Sequence, residues 1–339
     1  MRDSILIIVF AVISVLPISR DVAAQDGDDS SMLFSWQTNG PIIDTEKFGQ
    51  DDWIAMKDPS IVRHGGRWHL FCTLRGHRRL HAIVYSSFAD FEDAATAAPI
   101  VLPNHSGYNC APQVFYFRPQ KKWYMVCQAS DDRWQPKYQA AYATTTDIAD
   151  PSSWSKLETM HVPRTKDKLN LDFWLICDDA KAHLFFTSDN GKMWRVETGI
   201  SEFPLGWRNL ELVMQSDIFE ASHIYRMDDG RYVNLVEAQH DRDIRYFKAF
   251  VADKLDGSWS PIAAEWTNSY ASMNNVRQVD EMWTNSISHG ELIRDENDER
   301  MRGNLDSPFV FQGVLQKDRR GKPYGKIPWK LGLLRRVRP

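Results

Sequence analysis

Apolar positions along this chain fall in short runs broken by tight-turn residues, and helical spacing is scarce. The stretch KDPSIVRHGGRWHLFCTL (57–74) sets the pattern: a polar residue, a short apolar run, the turn pair Gly65-Gly66, then a second run heavy in aromatic and β-branched residues. It reads as a β-hairpin. The same unit recurs as APQVFYFRPQKKWYMVCQAS from Ala111, LDFWLICDDAKAHLFFTSDNGKMWRV from Leu171 and FEASHIYRMDDGRYVNLVEAQ from Phe219. A fifth copy starts at WTNSISHGELIRDENDERMRG from Trp283 and closes with FVFQGVL from Phe309, so the starts lie about 50 to 60 residues apart. Turn residues recur at the matching place, as Pro119-Gln120, Asp178-Asp179 and Asp229-Gly230. Further strands follow the hairpins, among them HAIVYSS, YQAAYATT, MWRVETG and RYFKAFVA.

Long repeats of several strands each predict an all-β fold, a five-bladed β-propeller. A β-sandwich is the alternative, but it would not place a polar residue at the same point of each copy. In a propeller the innermost strands converge on a central channel. One end of every first strand then meets on one face. Asp58, Asp172 and Glu220 stand there in units one, three and four. A carboxylate facing inward is costly unless it is paired or used, so the three acids are read as facing a substrate cavity.

Charge and processing signals narrow the setting. A formal net charge of −4 argues against a nucleic-acid or anionic-membrane partner. At the N-terminus, Arg2, the apolar stretch Ile5–Leu16 and the small residues Val22 and Ala24 fit a signal peptide over residues 1–24. An uncleaved anchor is the alternative, although the apolar run is short for a membrane span. Residues 25–32 form a flexible polar segment, and the propeller domain is expected over 33–338. The mature protein is expected to be secreted or periplasmic, monomeric and off the membrane. Cys72, Cys110, Cys127 and Cys177 lack C-x-x-C spacing, and three of them sit within apolar runs. They read as buried free thiols, not as a zinc site.

Two carboxyl groups across a pocket are the minimum machinery for glycoside hydrolysis, and a third can raise the acid's pKa by repulsion. The motifs KDPSIV, GYNCAPQVFYF, DFWLICDD, FEASHIY, WTNSISHGE and IPWKLGLL, in that order, resemble glycoside hydrolase family 62 from about residue 34 to 335. Those are α-L-arabinofuranosidases, relatives of family 43, built on a five-bladed propeller. The resemblance implies Asp58 as general base, Glu220 as general acid and Asp172 as the carboxylate that raises and orients the acid, with inversion at the anomeric carbon. It implies Lys57 as an arabinose contact. Gln113 and Trp174, inside two of the motifs, are counted with the substrate contacts. His289 matches a histidine near the channel centre that is often associated with calcium; a satisfied core histidine is the alternative.

Several features set the chain apart from the family pattern. FVFQG, with Phe309 and Phe311, stands where YLYQG is common, which points to a lost sugar-contacting hydroxyl. The second cysteine that often follows ICD is missing. DDRWQPKYQ (131–139) looks inserted, and Trp134 within it either stacks on a polymer sugar or pins the loop to its blade. RGHRRLH (75–81) is strongly basic, which fits either an acidic or sulfated glycan or a solvated loop. The expected function is removal of α-L-arabinofuranosyl side groups from arabinoxylan or arabinan, so the partner is a plant cell-wall polysaccharide or its oligosaccharides. A related furanosidase or xylosidase and a non-catalytic glycan-binding propeller are the alternatives. The three retained acids favour an enzyme.

Overall fold

The computed structural model describes residues 33–338 apart from 49–51, 79–80, 168–169, 189–190 and 242. The expected signal peptide and polar segment lie outside the described residues. Five sheets stand in a ring and form a five-bladed β-propeller; their strands pair antiparallel except Trp36–Thr38 with Val276–Gln278, which run parallel. In blades one to four the chain runs strand by strand from the channel outward. The innermost strand is Trp53–His64 in blade one, Asn109–Phe117 in blade two, Leu171–Cys177 in blade three and His223–Arg226 in blade four. Among the described residues no helix is long and apolar enough to cross a membrane.

The turn chemistry accounts for the hairpins. His64 pairs with Arg67, which leaves Gly65 and Gly66 as a two-residue loop. Both glycines have positive φ, 58° and 77°, as the tight turn matching strand twist requires. Gly230 turns the blade-four hairpin at φ 86°. The apolar runs bury on both faces because each blade packs between two others. Phe71, Phe115, Phe185 and Phe309 are all fully covered.

The fifth blade contains a strand from the start of the chain. Its order is Val276–Gln278, Trp36–Thr38, Lys330–Arg336, Phe309–Gly313 and Ile287–Leu292. Trp36 pairs with Arg336 on one side and with Val276 on the other, so the two ends of the propeller close the ring together. Trp36 is fully buried, donates its indole N–H to the Tyr270 carbonyl at 2.6 Å and packs edge-on to the Tyr270 ring at 5.2 Å. Trp36→Ala is therefore expected to cost about 3–5 kcal/mol, read as a lower urea midpoint. An unchanged midpoint would mean that this closure does not limit stability.

All four cysteines are buried free thiols. Phe309 and Phe311 are fully buried as well, Phe309 against Phe247 and Tyr270 and Phe311 against Trp283. Neither faces the site described below. The expectation that they replace a sugar-contacting hydroxyl is corrected: they contribute packing.

Candidate active site

The strand ends that meet at the channel share an irregularity. Asp58 (φ 50°), Ala111 (φ 50°) and Asp172 (φ 56°) adopt left-handed backbone within the first strands of blades one to three. The ladder slips at each of them: between Lys57 and Ser60, Cys110 and Gln113, and Leu171 and Trp174. Ala221 (φ 55°) does the same just ahead of the blade-four strand. A bulge of this kind re-aims side chains, and the conformation costs on the order of 1 kcal/mol for alanine and less for aspartate. In blade five the slip falls between Ser288 and Gly290, at His289. A Cβ on Gly290 would lie 2.5 Å from the Val310 carbonyl oxygen and the Phe309 ring, so only glycine fits beside His289.

This register corrects the equivalence expected from the repeats. Asp58 and Asp172 do occupy matching positions, but they lie inside strands rather than ahead of them. Glu220 precedes the left-handed Ala221 and so matches Lys57. Lys57, Cys110, Leu171 and Glu220, the residues one place before each bulge, all line one cavity of about 390 Å³ together with Asp58, Asp172 and His289. Arg245 and the rings of Tyr108 and Tyr324 complete much of its wall.

The charges in the cavity are arranged asymmetrically. Lys57 Nζ lies 3.8 Å from Asp58 Oδ2, and His289 Nδ1 lies 3.5 Å from Asp58 Oδ1 and 3.9 Å from Asp172 Oδ1. The Asp58 N–H donates to Gln312 at 2.9 Å. Burial pushes the Asp58 pKa up, but Lys57, His289 and a hydrogen bond from Thr73 outweigh it and hold the carboxylate below its usual range. Asp172 is raised by burial and by the neighbouring Asp58 and Glu237 charges, against the pull of His289 and of the Ala221 N–H, which donates to its Oδ2 at 3.1 Å. Glu220 is pushed well above the carboxylate range, by burial first and then by Asp172 and Glu237. At neutral pH this leaves one carboxylate able to accept a proton and one carboxyl able to give one.

A fully buried carboxylate holds the arrangement from behind. Glu237 accepts from Arg245 at 2.6 Å, from the Ser288 hydroxyl at 3.0 Å and from the His289 N–H at 2.8 Å. Arg245 lies 3.5 Å above the Phe219 ring and so is fixed from both sides. Sequence reasoning missed Arg245, Glu237, Tyr324 and His81. Only the basic stretch around His81 carried a signal.

Three of the expected substrate contacts lie elsewhere. Gln113 is buried, and its amide is engaged by the Leu175 backbone, donating at 2.8 Å and accepting at 2.7 Å, which ties blade two to blade three. Trp174 is buried between blades three and four. It donates to the Ile224 carbonyl at 2.8 Å and stacks on His223 at 4.1 Å. Trp134 is partly buried against the apolar cluster shared by blades one and two and stacks on His105 at 6.5 Å. None of the three lines the cavity. Gln128 and Tyr108 do, and Tyr108 also borders a polar cleft of about 660 Å³ walled by Asn104, His105, Arg133 and Tyr138.

The calcium associated with His289 finds no protein cage. Calcium takes six to eight oxygen ligands. His289 offers nitrogen, its ring packs edge-on against His223 at 5.1 Å, and among the described residues no group of three or more His, Cys, Asp or Glu is placed to hold a metal ion. Protein side chains alone therefore do not make a calcium cage at His289, and no step below uses the ion.

Comparison with known proteins agrees with this geometry. The family model described as glycosyl hydrolase family 62 matches residues 35–335. Over 311 residues the chain is 37% identical to α-L-arabinofuranosidase C of Cellvibrio japonicus, covering 88% of this chain but only 46% of that protein. The Podospora anserina α-L-arabinofuranosidase solved with cellotriose is 35% identical, with a TM-score of 0.82 over 90% of this chain and 98% of its own. A family-62 hydrolase solved with xylotriose is 33% identical, with a TM-score of 0.79 over 91% and 99% of the two chains. A match over nearly the whole propeller, with the acids gathered in one cavity, places this chain in glycosyl hydrolase family 62.

Proposed function

We propose that the protein is an inverting, exo-acting α-L-arabinofuranosidase that removes arabinofuranosyl side groups from arabinoxylan or arabinan. The observation that carries the reading is the divergence of two carboxyl groups in one cavity, Asp58 held acidic and Glu220 held protonated. In this reading Asp58 takes a proton from water as the water oxygen bonds to the anomeric carbon. The bond from that carbon to the polymer oxygen breaks, and Glu220 gives its proton to the departing oxygen. Asp172 keeps Glu220 protonated through its charge, and its link to the Ala221 N–H steadies the neighbouring Glu220. Lys57 and Arg245 face the sugar hydroxyls.

A cavity of this size, walled by two tyrosines, suits one terminal sugar. The relatives' complexes with xylotriose and cellotriose support a cell-wall main chain running outside it. Export through the N-terminal segment, action as a monomer and absence from the membrane belong to the same proposal.

The test is product analysis on a panel of arabinose-decorated polymers, with the anomer of the released sugar followed by NMR from the first turnovers. Release of β-L-arabinofuranose supports the reading. Release of the α anomer would overturn inversion, and release of xylose alone would overturn the substrate. Because Trp134 packs against the apolar cluster shared by blades one and two, Trp134→Ala is expected to lower the melting temperature and to slow polymer and small aryl arabinofuranoside alike. A loss confined to polymer would return Trp134 to the binding surface.

A further inference from the structure

Two segments beside the cavity carry a charge that the hydrolytic chemistry does not use. Residues 75–78 and 316–326 together hold seven lysines and arginines (Arg75, Arg78, Lys317, Arg319, Arg320, Lys322 and Lys326) against one acid, Asp318, in a chain whose net charge is −4. The fold brings the two segments together at the cavity mouth. Arg75 donates to the Gly325 carbonyl at 3.0 Å, and the Lys326 ammonium donates to His77 Nδ1 at 2.6 Å. The cavity wall beside them holds two rings, His81 close after the first segment and Tyr324 within the second. Tyr324 is 49% exposed, which puts it at the opening.

Four of these side chains have no carboxylate partner among the described residues. Lys317, Arg320, Lys322 and Lys326 are exposed, and among the described residues none has a carboxylate within ion-pair distance. Arg78 reaches Asp52 at 3.2 Å yet its side chain remains 88% exposed. Like charges crowded this way repel one another, a cost with no folding benefit unless an anion offsets it. His81 extends the rim inward as an uncharged group. Its pKa is pulled down to about 4, by burial and then by the Lys57 charge.

Resting on the arabinofuranosidase reading, we propose that this basic rim selects arabinose-bearing glycans that also carry anionic groups near the cleaved side chain. The shared chemistry is an oxyanion, the carboxylate of a uronic acid or a sulfate ester, held by Lys322, Lys326 and their neighbours while the arabinose enters the cavity. Exposed pairs are each worth about 0.2–1 kcal/mol, so two or three of them give roughly a fivefold preference. That preference is screened as the Debye length shortens.

The experiment compares kcat/KM for arabinose release from a glucuronate-bearing arabinoxylan before and after reduction of its carboxyl groups, and from a sulfated arabinose-bearing galactan before and after desulfation. Each pair is measured at roughly 20 mM and roughly 200 mM salt, where the Debye length falls about threefold. The expected result is an advantage of about fivefold for the intact anionic polymer at low salt. It should shrink at high salt and be removed by the double variant Lys322→Glu, Lys326→Glu, whose two positions are exposed and leave the core untouched. An advantage in the carboxylate pair alone assigns a uronate, one in the sulfate pair alone assigns a sulfate ester, and equal advantages assign charge without further discrimination. Equal rates within both pairs at low salt, or an advantage that survives the double variant, overturn the proposal. If no substrate, including an aryl arabinofuranoside, yields arabinose, the arabinofuranosidase reading falls by itself. Affinity electrophoresis with the same polymer pairs then reads the rim directly: greater retardation by the intact polymers supports it, and equal retardation overturns it.

Discussion

Asp58→Asn is expected to lower kcat/KM on arabinose-decorated polymer by about 10²–10⁴-fold. The substitution keeps the shape of the side chain, and asparagine tolerates the left-handed backbone that Asp58 adopts at φ 50°. What it removes is the proton acceptor. Lys57 at 3.8 Å and His289 at 3.5 Å keep that acceptor ionised, and Lys57 does not take its place: it stays protonated, since Asp58, Tyr324, Cys110 and Glu220 outweigh the opposing effect of burial. The wild-type rate should fall as pH drops through the Asp58 pKa, which lies below the usual carboxylate range. A thermal melt near that of wild type, beside a lost rate, separates chemistry from folding. Near-wild-type turnover in Asp58→Asn would remove Asp58 from the reaction.

Glu220→Gln should be as severe on polymer, about 10²–10⁴-fold, but milder on an aryl arabinofuranoside whose leaving group departs without a proton. That contrast is the signature of a general acid. The wild-type rate should also hold to unusually high pH and fall only as Glu220 ionises, since burial, Asp172 and Glu237 all raise its pKa. Asp172→Asn removes one of those charges. The sign follows directly: less repulsion lowers the Glu220 pKa, so the alkaline limb moves to lower pH. An alkaline limb that stays in place in Asp172→Asn would mean that Asp172 does not act through the acid. Equal losses on both substrates in Glu220→Gln would sink the acid assignment.

Much of this was legible in the chain. The hairpin units repeat with their turn residues in place because the chain must reverse between successive strands within a short span, and few residues permit that. Gly65 and Gly66 have the positive φ that such a turn requires. The acids could be singled out because a carboxylate beside an apolar strand is costly unless something needs it. The basic stretch 75–81 stood out for the same kind of reason, a concentration of like charge in a chain of opposite net sign.

The tertiary structure decided which way the side chains point and what they meet. Along a regular strand the side chains alternate, so a residue's face can be counted from its position. At a bulge one residue in left-handed conformation breaks the count, and for that reason Glu220 aligns with Lys57 rather than with Asp172. By their own segments, Gln113 and Trp174 count as sugar contacts, and Phe309 and Phe311 as the place of a lost sugar-contacting hydroxyl, because a segment read alone does not show what it packs on; their partners Leu175, His223, Tyr270 and Trp283 come from elsewhere in the chain. Arg245 and Tyr324 reach the cavity from segments that carry no acid motif of their own. The pairing of Trp36 with Arg336 joins residues from the two ends of the propeller. The sequence by itself determined the repeating strands, the turns and the three acids, because those depend on neighbours a few residues away. Bulge register, burial and ring closure depend on contacts between residues far apart in the chain, and only the folded ring supplies them.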